Sequence, residues 1–527
     1  MAKRIVLSSV LAVLIVAGLL PVLAMGVKSI IVDGRFSLEN YKALLTLGRA
    51  QTLISHSVAL SLLTTFFATI IGLPLGILFG KTDLPFGKLL IVLFAIPLLI
   101  PPYITAISWF YILGREGVIG RWLGPSLAEL TSKWLFGLPG CVLILFSTFL
   151  PIVILLTVTY LKTINPRLEE AGRLVSDWPG VMRSITIPLI LPGVLLAVML
   201  VFLLSLGEFS VPSFLRYNVF PVESFTQFSA FLNFSAATVA AIPLAIVTFF
   251  VLALESYFLR EKTYQVRPVH GTSFTERIQL GRNRNWLFAL SALLCFVIVI
   301  LPSLVLIVQS LSVNAYSLAI AKAGDSLIRS LLYAAVGASV LTVIGFLSGY
   351  LVQTRALPFW QTTDSLTIFL FALPSTVIGI GLISLWNRPW TNFIYATPVI
   401  IIIGYVAQYA AISSRITVSM LTQIPPSMEE AAQVAGAGWF RRMALIVAPL
   451  AKRGLMAAWL VGFIFCVRDT GISMIVYPPG LDTLPVRTFT LMANAPAGLT
   501  SALCVIMICA ALVPVGILTA AFKARML

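Results

Sequence analysis

The chain has 527 residues, of which 59% are hydrophobic and only 10% charged, and its mean hydropathy is +1.03. Soluble domains carry about 25% charged residues, so this composition excludes an ordinary soluble globule. The net charge of +16 would suit a nucleic-acid binder, but the basic residues lie in loops between apolar segments, as the topology of a membrane protein requires. We therefore expect a lipid bilayer as the surroundings and no nucleic-acid partner.

Apolar segments recur along the whole chain and are long enough to cross a bilayer, which takes about 20 residues. The sequence predicts an all-α integral membrane protein with about twelve transmembrane helices, whose boundaries are the least certain feature. The predicted spans lie near 4–26, 57–80, 89–112, 138–161, 188–210, 239–259, 286–309, 327–353, 365–386, 396–418, 450–476 and 498–522.

The first span follows Lys3 and Arg4 and ends near Met25, a pattern that a cleaved signal peptide shares. We favour an uncleaved signal anchor, because the apolar run is long and a retained helix gives an even number of spans. With Lys3 and Arg4 inside, about 22 of the 35 Lys and Arg residues fall on the same side. Both chain termini are then cytoplasmic.

The end of the second span, Gly80-Lys81-Thr82, resembles part of a phosphate-binding loop. The motif needs a glycine where Leu75 stands and a strand before it, so we interpret Lys81 as an anchoring lysine at a span end. We find no catalytic constellation, and the cysteines and histidines lack the spacing of metal ligands. The sequence therefore predicts no catalytic residue, no metal site and no enzyme.

Proline marks two later spans. Pro101 and Pro102 lie within the third, and Pro374 lies within the ninth, where Gly379 and Gly381 follow. Proline removes a backbone donor and glycine weakens a helix, so both spans should be bent or broken. Two interpretations remain open: the breaks surround a translocation path, or they are ordinary kinks tolerated by packing.

An acidic loop, residues 163–187, follows the fourth span. Asn165 is a plausible helix N-cap and Pro166 a plausible first helical residue. Acidic residues follow in the first turn, where they complement the helix dipole. The candidate docking residues in this earlier loop are Glu169, Glu170, Ala171, Gly172 and Ser176.

A second acidic loop, residues 421–449, repeats these features. Ser427 and Glu430 stand at the spacing of a capping box after Pro425-Pro426. The candidate docking residues here are Glu429, Glu430, Ala431, Ala432 and Gly436. The two loops should form short, preorganised helices facing the same aqueous compartment.

Two acidic residues lie at the ends of apolar segments. Glu208 and Asp469 are separated by 261 residues, the offset that also aligns Pro188 with Pro449. An acidic group in hydrocarbon is costly unless it faces a cavity or a partner. The two residues either form a facing pair near the path or mark the outer ends of spans, and Arg468 could neutralise Asp469.

The matched features divide the chain into two parallel repeats. We predict a first half at 1–259, a basic cytoplasmic linker at 260–285 and a second half at 286–527, with about six spans in each half. An even number of spans in each half gives the copies the same orientation, unlike inverted repeats.

The later loop resembles the E-A-A-x3-G-x9-I-x-x-P signature of type I ABC importer permeases, with Glu430, Gly436, Ile446 and Pro449 in register. In the earlier loop Gly172 replaces the second Ala and Ser176 replaces the Gly. Because both copies lie in one chain, it resembles the double-length ferric-iron and thiamine permeases over nearly all its length. The resemblance implies that both loops are coupling helices that dock on an ATPase.

The same resemblance implies partners and a location. These are two copies of an ABC ATPase subunit, a periplasmic substrate-binding protein and the bacterial cytoplasmic (inner) membrane. ATP would bind the partner ATPase, and the chain itself would bind no cofactor. Ferric iron is the first substrate that the resemblance suggests, with thiamine or a polyamine as others. The alternative function is a transporter driven by an ion gradient, with Glu208 and Asp469 as cation sites.

Overall fold

The computed structural model describes residues 2–32, 35–46, 48–259 and 277–524. Within these residues nine helices are long and apolar enough to cross a membrane, and three bent helix pairs bring the number to as many as twelve. The predicted all-α membrane fold is confirmed. Most of the predicted linker, residues 260–276, lies outside the described part.

The nine single-helix candidates include the two longest helices of the described residues. They are Ala2–Ser29, Arg49–Lys81, Leu138–Leu161, Trp178–Leu206, Phe234–Leu254, Gly281–Ser310, Ala315–Thr354, Val399–Leu421 and Ala497–Pro514. The bent pairs are Gly87–Leu99 with Pro102–Trp122, Trp360–Ala372 with Ser375–Trp386, and Trp439–Leu450 with Lys452–Val467.

Short elements connect these helices. A two-stranded antiparallel hairpin pairs Ile31–Val32 with Arg35–Phe36. The short helices are Glu39–Thr46, Val118–Leu123, Pro125–Leu135, Pro166–Arg173, Ser210–Phe214, Phe220–Ser229, Asn392–Tyr395, Pro426–Val434, Gly471–Val476 and Leu484–Leu491.

Widened helical turns repeat in both halves of the sequence. A π-turn at Ile15–Leu19 precedes Pro21, and another at Phe296–Ile300 precedes Pro302. Further π-turns stand at 182–186 and 443–447, just before Pro188 and Pro449. Proline cannot supply a backbone donor, so the preceding turn loosens without ending the helix.

Packing divides the chain into two compact units that cut across the predicted sequence halves. One unit contains 1–48, 223–245 and 312–527, and the other contains 49–222 and 246–311. The first helix of each predicted half thus lies in the unit formed mainly by the other half. Gly381 shows how closely the exchanged helix packs, because an added Cβ would lie 2.9 Å from the carbonyl carbon of Pro21.

Each unit contains a pair of long helices held together through small residues. Cβ atoms added at Gly72 and Gly76 would come within 2.8 Å of Val153 and 2.6 Å of Thr157. In the other unit Gly345 and Gly349 make the same close approach to the Val399–Leu421 helix. Helices in a membrane associate through close packing of this kind, since lipid is as apolar as their side chains.

Candidate functional site

The earlier acidic loop forms a helix at Pro166–Arg173, called here the first acidic helix. Asn165 is its N-cap, and the side-chain oxygen of Asn165 accepts a hydrogen bond from the Arg167 amide at 3.1 Å. The predicted cap is confirmed. Pro166 occupies the first helical position, where a missing N–H costs nothing.

Glu169 anchors the first acidic helix to the core of its unit. Its carboxylate forms a buried ion pair with Lys81 and accepts a 2.8 Å hydrogen bond from the Thr186 hydroxyl. Only 3% of Glu169 and 2% of Lys81 is exposed. Glu170 and Ala171, by contrast, face outward.

The glycine that replaces the second alanine in this loop lies against the following segment. A Cβ at Gly172 would lie 2.6 Å from the Cδ1 atom of Ile185. An alanine here would therefore displace the end of the Ile185 side chain. Ser176, the residue at the glycine position of the signature, is exposed, and Asp177 caps the next turn by accepting from the Gly180 amide at 3.2 Å.

The later acidic loop forms a helix at Pro426–Val434, the second acidic helix. Its N-cap is Pro425, and no side chain caps it. The predicted capping box of Ser427 and Glu430 is therefore wrong, because the helix starts at Pro426 and Ser427 lies inside its first turn. Two consecutive prolines set the start of the helix through their fixed φ.

The second acidic helix ends in a Schellman motif. The Ala437 amide donates to the Ala432 carbonyl and the Gly436 amide donates to the Gln433 carbonyl, each at 3.0 Å. Gly436 has a φ of +83°, which only glycine adopts without strain. The predicted turn at Gly436 is confirmed.

Glu429 anchors the second acidic helix as Glu169 anchors the first. The Tyr350 hydroxyl donates to Oε1 of Glu429 at 2.8 Å, and Nε of Arg442 lies 3.7 Å from the same oxygen. Arg442 is buried and also donates to the Gln433 side chain. Glu430 and Ala431 are exposed, and Ala432 is half-buried.

The two loops therefore share a division of roles that sequence reasoning missed. The first glutamate of each Glu-Glu pair faces inward, and the second faces outward. The anchoring partners, Lys81 and Tyr350, lie at the ends of the two long helices, far away in sequence. For Lys81 the sequence did offer one indication of a partner, because a lysine at the end of an apolar span needs a partner or water.

Apolar side chains project from both loops. Leu174 and Val175 are 88% and 90% exposed, and Val434 is 90% exposed. All three follow the ends of the acidic helices or lie at their last residue. A rigid helix that carries exposed carboxylates and exposed apolar groups is a surface suited to a protein partner.

Asp469 and Glu208, the two acidic path candidates, lie just after long helices. Asp469 is 3% exposed, and its carboxylate accepts from the Tyr409 hydroxyl at 2.7 Å and from the Ser473 hydroxyl and amide at 2.7 and 2.9 Å. Glu208 accepts from the Ser210 amide at 2.8 Å. Both therefore help the chain turn into the next short helix.

The candidates Glu208 and Asp469 belong to different compact units, so their predicted facing arrangement stays a prediction. The guanidinium of Arg468 lies 4.7 Å from the centre of the Phe465 ring.

The proline candidates occupy sharp helix breaks, as predicted. The helices on either side of Pro101 are bent by 100°, and those on either side of Pro374 by 107°. Pro101 and Pro374 are the N-caps of the helices that follow, while Pro102 is the first residue of its helix. The predicted breaks are confirmed, whereas a place on the translocation path stays a prediction.

Gln408 stabilises the break at Pro374. Its amide nitrogen donates to the carbonyl oxygens of Phe371 and Leu373, at 2.9 and 3.0 Å. Irregular backbone in a membrane protein is tolerated where protein groups satisfy it. Gly379, expected to weaken the helix, instead allows close packing, because its Cβ would lie 2.9 Å from that of Ile475.

Nine to twelve candidate spans among the described residues, close-packed helix pairs in each unit and two anchored acidic helices are the architecture of a polytopic membrane protein. The chain belongs to the family of binding-protein-dependent transport system inner membrane components, whose model matches residues 72–263 and 342–527. It is thus an ABC-type permease of the inner membrane with two copies of the family domain.

Most of this chain is similar to double-length ferric permeases. The putative ferric transport system permease protein FbpB 1 of Haemophilus influenzae is 24% identical over 494 residues, covering 89% of this chain and 77% of the relative. The ferric transport system permease protein FbpB of Actinobacillus pleuropneumoniae is 25% identical over 487 residues, covering 88% and 70%. The molybdenum transport system permease protein ModB of Escherichia coli is 31% identical, but over 29% of this chain and 68% of its own.

These relatives are transport permeases and not enzymes. They support an ABC-type permease and give no support to the alternative of a transporter driven by an ion gradient.

Proposed function

We propose that this chain is the whole membrane part of an ATP-driven importer, in which two ATPase subunits dock on the two acidic helices. ATP binds and is hydrolysed on those subunits, and the chain itself holds no cofactor. A periplasmic binding protein delivers the cargo. The observation that carries the proposal is the repeated arrangement of an inward, anchored glutamate beside an outward one on each acidic helix.

Anchoring matters because a docking helix must transmit motion. A helix held only by its flanking loops would yield when an ATPase subunit pushed it. Glu169 and Glu429 join each acidic helix to a long membrane helix by side-chain contacts. Movement of the acidic helix is then passed to the long helix, which alternately exposes the cargo path to either side.

The proposed cargo is ferric iron. Support comes from the two FbpB relatives, which match the chain across both halves, whereas ModB matches about a third of it. Thiamine and polyamines are the other cargoes that an uptake experiment should include.

Docking is tested by placing a charge on the exposed apolar surface. We expect Val434→Glu to lower co-purification of the ATPase and cargo uptake by about tenfold or more, because one hot-spot contact is worth at least about 2 kcal/mol. Val434 is 90% exposed, so the fold should be unaffected. Co-purification from membranes and uptake of radiolabelled iron in cells measure the two effects.

Val313→Glu is the matched control, since Val313 is 91% exposed and lies in a loop between two spans on the proposed outer side. Normal ATPase binding by the Val434 variant, or equal loss in both variants, would contradict the docking assignment.

The proposed topology places both termini and both acidic helices in the cytoplasm. Single cysteines at Ser176 and Gln433, in a chain whose native cysteines are replaced, should react with a membrane-impermeant maleimide only after the cells are opened. A cysteine at Val313 should react in intact cells. Labelling of Ser176 and Gln433 positions from opposite sides would rule out the parallel repeat.

A further inference from the structure

A cluster of oxygen-bearing side chains surrounds Asp469, and its two tyrosines have no counterpart at the matching positions of the first half. Its members are Tyr405, Tyr409, Asp469 and Ser473, all within one compact unit. When Glu169 is aligned with Glu429, the two tyrosines fall on Leu145 and Phe149. Those two residues are buried in an apolar core, so the cluster is not a general requirement of the fold.

The hydrogen bonds of the cluster all converge on one carboxylate. The Ser473 hydroxyl donates its single hydrogen to Asp469, so the Tyr405 hydroxyl, 3.2 Å from Ser473 Oγ, must donate to serine. The Tyr409 hydroxyl donates directly to Asp469. Both phenol groups therefore lie on hydrogen-bond chains that end at this carboxylate.

This donor set has the chemistry of a site for a hard, highly charged cation. Carboxylate and phenol oxygens suit hard metal ions, and tyrosine oxygen is a ligand that ferric iron accepts in proteins. Within the described residues no group of three His, Cys, Asp or Glu could hold a metal.

One pair of oxygens in the cluster is close enough for a single ion to bind both. Metal–oxygen distances of about 2.0 Å place neighbouring ligand oxygens about 2.8 Å apart. Tyr409 Oη and Asp469 Oδ1 are 2.7 Å apart, so one ion could bind both without moving either helix far. Tyr409 is partly exposed, whereas Asp469 and Tyr405 are buried, so Tyr409 offers the point of entry.

We propose that Tyr409 and Asp469, supported by Tyr405 and Ser473, bind the ferric cargo transiently as it passes through the second half of the permease. The proposal rests on the proposed function, specifically on ferric iron as cargo. Binding exchanges ligands without any change of oxidation state. A hydroxide bound to the incoming ferric ion takes the Tyr409 proton and leaves as water, while the phenolate oxygen bonds to iron.

The test is a spectroscopic titration of the purified permease–ATPase complex with ferric nitrilotriacetate. Phenolate bound to ferric iron gives a visible charge-transfer absorption, which a purely structural role for Tyr409 would not produce. We expect this band in the wild type and in Tyr160→Phe, a control in the first half. Tyr409→Phe should abolish it, and Asp469→Asn should weaken it.

Uptake of radiolabelled iron provides the second measurement. Tyr409→Phe should lower uptake about tenfold, the effect of losing one ligand of modest strength, while the variant still gives monodisperse protein in detergent. If Asp469→Asn fails to fold, Tyr409→Phe alone decides.

Three outcomes separate this proposal from the proposed function. A lost band and slow uptake in Tyr409→Phe would support the site. Iron uptake by the wild type that Tyr409→Phe leaves unchanged, with no band in either, would overturn the site and leave the ferric importer standing. A wild type that takes up no iron would overturn both.

Discussion

Replacing Lys81 with methionine is expected to uncouple the first acidic helix from its unit. The change removes the positive charge beside the buried carboxylate of Glu169 and leaves the hydrogen bond from the Thr186 hydroxyl, and removing one member of a buried ion pair costs about 3–5 kcal/mol. Cargo-stimulated ATP hydrolysis by the reconstituted complex should fall at least about tenfold. The thermal unfolding midpoint should fall as well.

A double variant separates charge from shape. Lys81→Met combined with Glu169→Gln removes both charges, so it should recover a large part of the stability that Lys81→Met loses. Lys133→Met is the control, because its ion pair with Glu129 is 3.0 Å long but the two side chains are 77% and 59% exposed. Exposed pairs contribute little, and equal losses from Lys81→Met and Lys133→Met would disprove the anchoring role.

The second acidic helix should respond less to loss of its anchor. Its partner is the neutral Tyr350, and Arg442 also faces Glu429. Tyr350→Phe therefore removes one hydrogen bond and leaves a nearby positive charge in place. A difference between the two anchors would mean that the two acidic helices differ in stiffness.

Replacing Gly345 with leucine is the second change for which we expect a large effect, in this case on folding. A Cβ at this position would lie 2.2 Å from Ser413 Cβ and 2.7 Å from the Ser413 carbonyl carbon. Backbone atoms cannot rotate away, so the Ala315–Thr354 and Val399–Leu421 helices would have to separate. The loss should reach or exceed the roughly 3 kcal/mol usual for severe overpacking.

Gly324→Leu is the matched control on the same helix. The nearest atom to its added Cβ is Ile320 Cγ2 at 3.6 Å, and leucine forms helix better than glycine. The yield of monodisperse protein and its unfolding midpoint in detergent measure both variants. Normal yield from Gly345→Leu would show that the two helices do not need this close approach.

Most of the contacts that the sequence did not predict join residues that are far apart in the chain. The Nδ1 atom of His56 lies 3.0 Å from the Asn218 carbonyl oxygen, and the His56 ring stacks on Tyr217 at 4.6 Å. In the other unit Arg329 donates to the Asp482 carbonyl at 3.1 Å. Each contact joins a side chain of a long helix to a backbone carbonyl in the same unit. Because one side chain is histidine and the other arginine, a single sequence does not reveal that the two contacts are equivalent.

The end of the linker gives another example. Its described part begins at 277, and the Ile278 amide donates to the Lys81 carbonyl at 2.8 Å while the Asp83 amide donates to Ile278 at 3.2 Å. Arg284 then lies 3.7 Å from the Asp83 carboxylate. Composition identified a basic linker, but it could not show that the linker pairs with the loop beside the Glu169 anchor.

The sequence by itself determined the membrane class, the spans, the helix breaks at Pro101 and Pro374 and the positions of the acidic helices. These follow from local chemistry, because each segment in hydrocarbon must satisfy its own backbone and proline prevents it from doing so. Tertiary structure alone decided that Glu169 and Glu429 turn inward, that Lys81 and Tyr350 receive them, and that the first helices exchange units. These contacts depend on how closely segments far apart in sequence pack against one another, and a local sequence pattern holds no information about that packing.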